Sequence, residues 1–239
     1  MPRVTINESV PPAPAAAPAS RLPRRRRPER RDPAATREAL LQAGAELFAL
    51  HGFDGTSTDA LARRAGVNKA LISYHFGGKL GLYRAILAAT FEPVRERVVA
   101  LRATPQPAPE ALREFIAVFG ETASRRQPAF PAMLVRELIT PGSPAVSELR
   151  PYLVDVLGTV RHILERGVRE GQFREVDPLM THLSMVGALA FFFATGPARA
   201  RIVASMPPAL KVQPPAADAF VRHMQDLMTL GLAKRPGRS

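Results

Sequence analysis

From Asp32 onward, apolar residues recur three and four positions apart, the period of a helix with one buried face. Asp32-Pro33 marks the first start, an N-cap candidate followed by proline at the first helical position, where its missing N–H costs nothing. Leu40, Ala43, Gly44, Leu47 and Phe48 supply the buried face, and Gly52 stops the helix as a C′ glycine with Phe53 behind it. A second short helix starts near Thr56 or Ser57. Thr56 and Asp59 have capping-box spacing, Leu61, Ala62 and Ala65 give a small apolar face, and Gly66 ends the segment. Asn68 caps a third helix from Lys69 to about Phe76, with Leu71 and Ile72 inward and Phe76 one turn later, before Gly77-Gly78 breaks the chain. A fourth begins near Lys79 with Leu82, Tyr83, Ile86 and Leu87 at core spacing, and Pro93 is expected to kink or end it.

Beyond the Pro-rich turn Thr104–Pro109, the pattern predicts helices near 110–126, 128–140, 144–170, 178–194 and 216–233. No fixed-period repeat points to a solenoid. The longest apolar run, Leu183–Thr195, falls short of the ~20 residues a membrane span needs, so it reads as a core or interface helix and no membrane partner is expected.

Composition agrees with an all-α fold: helix formers dominate the apolar set, Trp is absent, and only 3 Tyr occur in 239 residues. The absence of Cys excludes disulfides, thiolate nucleophiles and Cys-based metal sites, and fits a reducing cytoplasm. The net charge of +12 suggests a polyanionic partner, but half of the excess lies in residues 1–31, which hold eight Arg against two Glu. That segment, PPAPAAAP followed by Arg24-Arg25-Arg26-Arg27, cannot bury enough apolar surface to offset ordering and is expected to be a disordered tail. It is either simply solvated or a non-specific phosphate-binding arm. Its prolines do not fit the apolar helical core of a signal peptide.

Two short helices joined by Ala65-Gly66-Val67 form a helix-turn-helix at about 57–76, in which the first helix braces and the second enters the major groove of DNA. Around it, Thr36-Arg37, Leu47-Phe48, Gly52-Phe53, Thr56-Ser57, Leu61-Ala62, Ala65-Gly66-Val67, Tyr74-His75-Phe76 and Lys79 stand in a pattern that resembles the DNA-binding domain of the TetR family, over residues 34–94. Three positions depart from it. Ala70 stands where Gly is common, Ser73 where a phosphate-touching Tyr is usual, and Leu80 where the residue is usually acidic. The resemblance implies a three-helix DNA-binding domain over 32–94 and a larger helical ligand-binding and dimerisation domain over 95–239. It further implies double-stranded operator DNA as partner, a homodimer, and repression relieved by a small-molecule effector, with no cofactor or metal.

Helical geometry exposes Lys69, Ala70, Ser73 and Tyr74 opposite the Leu71/Ile72 face. Lys69 is placed to meet guanine or phosphate and Ala70 a thymine methyl, while Ser73 offers a shorter hydrogen bond to phosphate or base than Tyr would. Tyr74 and His75 are candidate phosphate clamps; His75 packing against the following loop is the alternative. Thr56, Ser57, Asn68 and Lys79, at helix starts, complete the candidate DNA-binding set with hydroxyls, free N–H groups and charge.

In the C-terminal region Phe130, Met133, Leu134, Met180 and Phe192 are candidate pocket residues, with ordinary core as the competing role. Arg136, beside Glu137, either faces a ligand or forms a surface ion pair. The last two long helices are expected to pair across a two-fold axis. No catalytic residues are assigned: His51, His75, His162, His182 and His223 form no metal-ligand pair, Gly78-Lys79 lacks the upstream P-loop glycine, and no GxSxG elbow occurs. An enzyme and an architectural DNA binder are the competing classes.

Overall fold

The structure, a computed structural model, describes residues 32–126, 129–143, 145–210 and 213–234. The Arg-rich tail of residues 1–31 lies outside the described residues, as do the expected helix starts at positions 128 and 144. Among the described residues there are ten α-helices and one isolated β-bridge, between Phe173 and Ala233.

The first four helices are α1 (Pro33–Gly55), α2 (Thr58–Ala65), α3 (Ala70–Phe76) and α4 (Lys79–Ala100). Asp32 caps α1, its carboxylate accepting from the Ala34 N–H at 3.0 Å. Gly52 leaves the helical region at φ 73°, a conformation open to glycine, and separates the main run of α1 from its last residues. At the start of α2 the expectation needs correcting. Ser57 is the cap, accepting from Ala60 N–H at 3.1 Å, whereas Thr56 closes the end of α1. The turn into α3 is made by Gly66 at φ 64°; Lys69 is the cap position and makes no capping bond, while Asn68, one residue ahead of it, accepts from the first-turn Ala70 N–H at 2.9 Å.

Pro93 does not end α4, which continues for seven more residues to Ala100. The proline is on the exposed side, and Phe91, Val94 and Val98 are buried on the other side, which favours continuing the helix past it. The expected boundary at 94/95 therefore falls inside one continuous helix. Its first half (Leu82, Tyr83, Ile86, Leu87) and second half (Phe91, Val94, Val98) belong to a single hydrophobic core.

The rest comprises α5 (Ala108–Glu121), a π turn at Thr122–Arg126, α6 (Phe130–Ile139), α7 (Ala145–Arg169), α8 (Pro178–Ala194), α9 (Gly196–Ala204) and α10 (Ala217–Leu232). Sequence periodicity does not separate α9, which buries none of its residues and so has no apolar stripe to find. The end of α10 is tied down where Arg174 N–H donates to Leu232 O at 2.9 Å and Lys234 N–H to Gln172 O at 3.1 Å. Among the described residues no single helix is long and apolar enough to cross a membrane.

Candidate nucleic-acid interface

The short α3 stands out from the body of the protein on one buried anchor, Ile72, with Leu71 and Phe76 half-buried beside it. Ala70, Ser73 and Tyr74 are exposed on its outer side, and Tyr74 is 77% exposed, far more than its apolar ring favours without a partner. The Tyr74 ring meets His75 edge-on at 4.9 Å, and His75 lies 6.2 Å from Phe76. His75 thus packs along its own helix while remaining half-exposed. Phe76 is covered by the Arg37 guanidinium, 5.3 Å above the ring.

Lys69, at the base of α3, reaches back to α2, its Nζ 3.0 Å from Asp59 Oδ2 with both side chains exposed. Lys79, at the start of α4, holds its ammonium 4.2 Å over the Phe53 ring. Ser57 is exposed at the N-terminus of α2, where first-turn N–H groups lack helical partners. Thr56 does not share that role. It is 1% exposed, and its hydroxyl donates inward to Gly52 O at 2.8 Å and Leu47 O at 3.2 Å, so it braces the end of α1. An Arg64–Glu46 ion pair at 2.5 Å fastens the exposed side of α2 to α1.

A joint connects this reading head to the C-terminal helices. Arg136 of α6 donates from Nη2 to Leu50 O at 2.9 Å and lies against Gly52, while the neighbouring Glu137 is buried and accepts from the Ser143 hydroxyl. Glu137 also faces Tyr83 of α4. That tyrosine's hydroxyl is pushed up from its ordinary pKa chiefly by burial, then by the Glu137 carboxylate, yet among the described residues it meets no acceptor in good hydrogen-bonding geometry. Arg136 therefore belongs to the joint, where it lines a small polar pocket with His51, Gly52, Glu137 and Ser143.

Behind the joint, the C-terminal helices enclose an apolar cavity of about 40 Å³. Phe91 and Val98 of α4, Phe115 and Phe119 of α5, Phe130 and Leu134 of α6, Tyr152 of α7 and His182 of α8 are among its walls. Of the expected pocket residues, Phe130 and Leu134 line it. Met133 is buried in the core beside it, Met180 is exposed on the outer face of α8, and Phe192 is stacked on Phe220 of α10 at 3.8 Å with the Arg199 guanidinium 3.9 Å from its ring centroid. The sequence does not single out Phe91, Phe115, Phe119 or His182, because helix-core spacing looks the same whether a side chain meets a neighbour or a void.

On the outside, α8 and α10 present Met180, Leu183 and Phe191 together with Leu227 and Leu230, all more than half exposed. Leu189 is not part of this face; it is 0% exposed within the subunit.

Comparison with known proteins agrees with this geometry. Residues 40–86 match the family model described as bacterial regulatory proteins, tetR family, and residues 109–210 match the tetracyclin repressor-like C-terminal domain. The HTH-type transcriptional repressor NicS of Pseudomonas putida is 29% identical over 161 residues, covering 66% of this chain and 75% of that protein. The HTH-type transcriptional regulator RutR of Escherichia coli is 27% identical over 144 residues, 60% of this chain and 67% of RutR. Among solved structures, the ketosteroid transcriptional regulator KstR2 of Mycobacterium tuberculosis superimposes with a TM-score of 0.66 at 17% identity, over 83% of this chain and 95% of that one. HlyIIR, a hemolysin II transcriptional regulator, gives 0.61 at 22% identity, over 85% and 100%. The chain belongs to the tetR family of bacterial regulatory proteins and is a DNA-binding regulator of transcription.

Proposed function

We propose that this protein is a homodimeric repressor that holds operator DNA with the outer face of α3 and releases it when a small molecule enters the C-terminal helical core. The observation that carries the DNA-binding assignment is the exposed row of Ala70, Ser73 and Tyr74 on a seven-residue helix, flanked by Lys69 and Lys79. A helix of this length makes little of its own stability, so its outward side chains are free for base edges and phosphates while Ile72 fixes the helix to the scaffold. Ser57, Asn68 and His75 support the ends of this surface. Thr56 acts only by bracing it.

The release step is supported by continuity. Phe130 and Leu134 wall the cavity, and Arg136 and Glu137, on the following turn of the same helix, grip the end of α1 and face α4. An occupant that moves α6 changes those contacts, and a coupling of about 1–3 kcal/mol between the two sites is typical of such devices. The exposed apolar face of α8 and α10 supplies the surface for a second copy of the chain.

Selection of bound fragments from the source genome, followed by fluorescence anisotropy with the selected duplex and a scrambled one, tests this reading. A repressor of this kind binds the selected duplex at least a thousandfold more tightly, and a ratio near one removes the assignment.

A further inference from the structure

Arg95, Tyr152 and His182 are the polar residues in the cavity wall, and His182 is the one of them with an unpartnered buried atom among the described residues. His182 is 8% exposed, and its Nδ1 is buried with no hydrogen-bond partner among the described residues. A buried ring nitrogen without a partner is costly, and proteins seldom tolerate one unless something supplies the missing bond. Burial also holds this imidazole below the ordinary histidine pKa, so it is neutral near pH 7 and Nδ1 either accepts or donates according to tautomer.

The other walls narrow the choice of ligand. Phe91, Phe119, Phe130 and Tyr152 surround the space with ring centroids 5.0 to 6.0 Å apart, tilted or edge-on to one another, as a further ring would prefer to be met. Arg95 is the one charged residue in the wall among the described residues, and it is committed to Glu92 and Asp155, with nitrogen to oxygen distances of 2.9 Å to each. No unpaired cation waits for a carboxylate, and an unpaired charge brought into this apolar space would be heavily penalised. The space of about 40 Å³ is also smaller than the about 150 Å³ that accepts a benzene ring, so even one ring must push the walls apart.

Resting on the reading of this core as the effector site, we propose that the cavity takes an uncharged aromatic compound bearing a single hydroxyl or carbonyl group, held by a hydrogen bond to His182 Nδ1. The aromatic walls take the ring, and entry of the ring displaces Phe130 and Leu134 on α6, the helix that carries the joint.

The test is isothermal titration calorimetry of the full chain at pH 8 with 4-methylphenol, toluene and 4-methylbenzoate, on wild type, His182→Leu and His182→Gln, with melting curves for each. The affinity ratio of 4-methylphenol to toluene is expected to fall about tenfold in His182→Leu and to be partly restored in His182→Gln, and 4-methylbenzoate is expected to bind at least about tenfold more weakly than 4-methylphenol. An unchanged ratio, equal binding of 4-methylbenzoate, or no binding of any of the three overturns the proposal. If His182→Leu does not fold, the His182 ring-nitrogen NMR signal of the wild type decides instead. It moves with 4-methylphenol and not with toluene if the bond forms, and responds alike to both if it does not. Operator affinity measured with and without 4-methylphenol keeps the two readings apart: binding that leaves operator affinity unchanged supports the ligand class and overturns the effector role.

Discussion

Lys69 and Asp59 form an ion pair at 3.0 Å that joins the base of α3 to α2, and both side chains are open to solvent. An exposed pair contributes only about 0–1 kcal/mol to folding, so Asp59 does little for the fold while occupying the cation nearest the start of the reading helix. Asp59→Asn is therefore expected to leave the melting temperature nearly unchanged and to tighten binding to both operator and scrambled duplex, by freeing Lys69 and removing a negative charge. Weaker binding by Asp59→Asn, measured by anisotropy, would show that the pair positions Lys69 and does not compete for it.

Thr56 and Ser57 are adjacent but should fail differently. Thr56→Val removes a buried hydroxyl that donates to Gly52 O and Leu47 O and should cost about 1–3 kcal/mol of stability, with operator affinity intact at temperatures where the variant is folded. Ser57→Ala removes an exposed cap, costs about 1 kcal/mol, and weakens DNA binding as well if the α2 terminus meets phosphate. Denaturant melts paired with titrations separate the two, and a Thr56→Val variant that is stable but cannot bind would return Thr56 to the contact surface.

Leu227 and Leu230 are 52% and 76% exposed on α10, beside the outward apolar residues of α8. Leu227→Arg and Leu230→Arg should yield folded monomers with weakened operator binding, because each places a charge in the proposed interface. Leu189→Arg should instead abolish folding, since that residue is interior to the subunit. Unchanged dimer mass for both α10 variants in light scattering would move the interface elsewhere.

His182 also predicts a pH dependence. Its pKa is lowered by burial in the folded state, so below about pH 6.5 the unfolded chain takes up a proton that the folded chain resists. The contribution is fully present above the ordinary histidine pKa and is lost as pH falls through it toward the folded value. His182→Leu should therefore flatten the fall in melting temperature between pH 8 and pH 5 relative to wild type, and parallel curves would contradict the assignment.

Much of the reading head is legible in the sequence because local rules and tertiary packing agree there. Asp32-Pro33, Gly52, Gly66 and Asn68 punctuate the chain as capping chemistry requires, and the Ile72 anchor follows from helical spacing. The cap expected at Thr56 shows the limit of that reasoning: two adjacent hydroxyl residues satisfy the same rule, and only the fold of α1 decides which turns inward. Pro93 does not end α4, because burial of Phe91, Val94 and Val98 on the far side favours continuing the helix past one local breaker. The cavity is only half visible in the sequence. Phe130 and Leu134 meet it, but Met180 and Phe192 lie on other faces of α8, and which apolar positions border a void depends on how five helices converge.

The most direct test is operator titration with variants of the outer face of α3, each checked by melting curve and light scattering. Lys69→Ala and Tyr74→Ala should fold and dimerise like wild type yet bind the selected duplex more weakly, by about 1–3 kcal/mol where the side chain makes a bidentate base contact and less for a single phosphate contact. Ile72→Ala should instead lose about 2–5 kcal/mol of stability by opening a cavity under the helix. If Lys69→Ala and Tyr74→Ala both bind the operator as tightly as wild type, α3 is not the element that reads DNA.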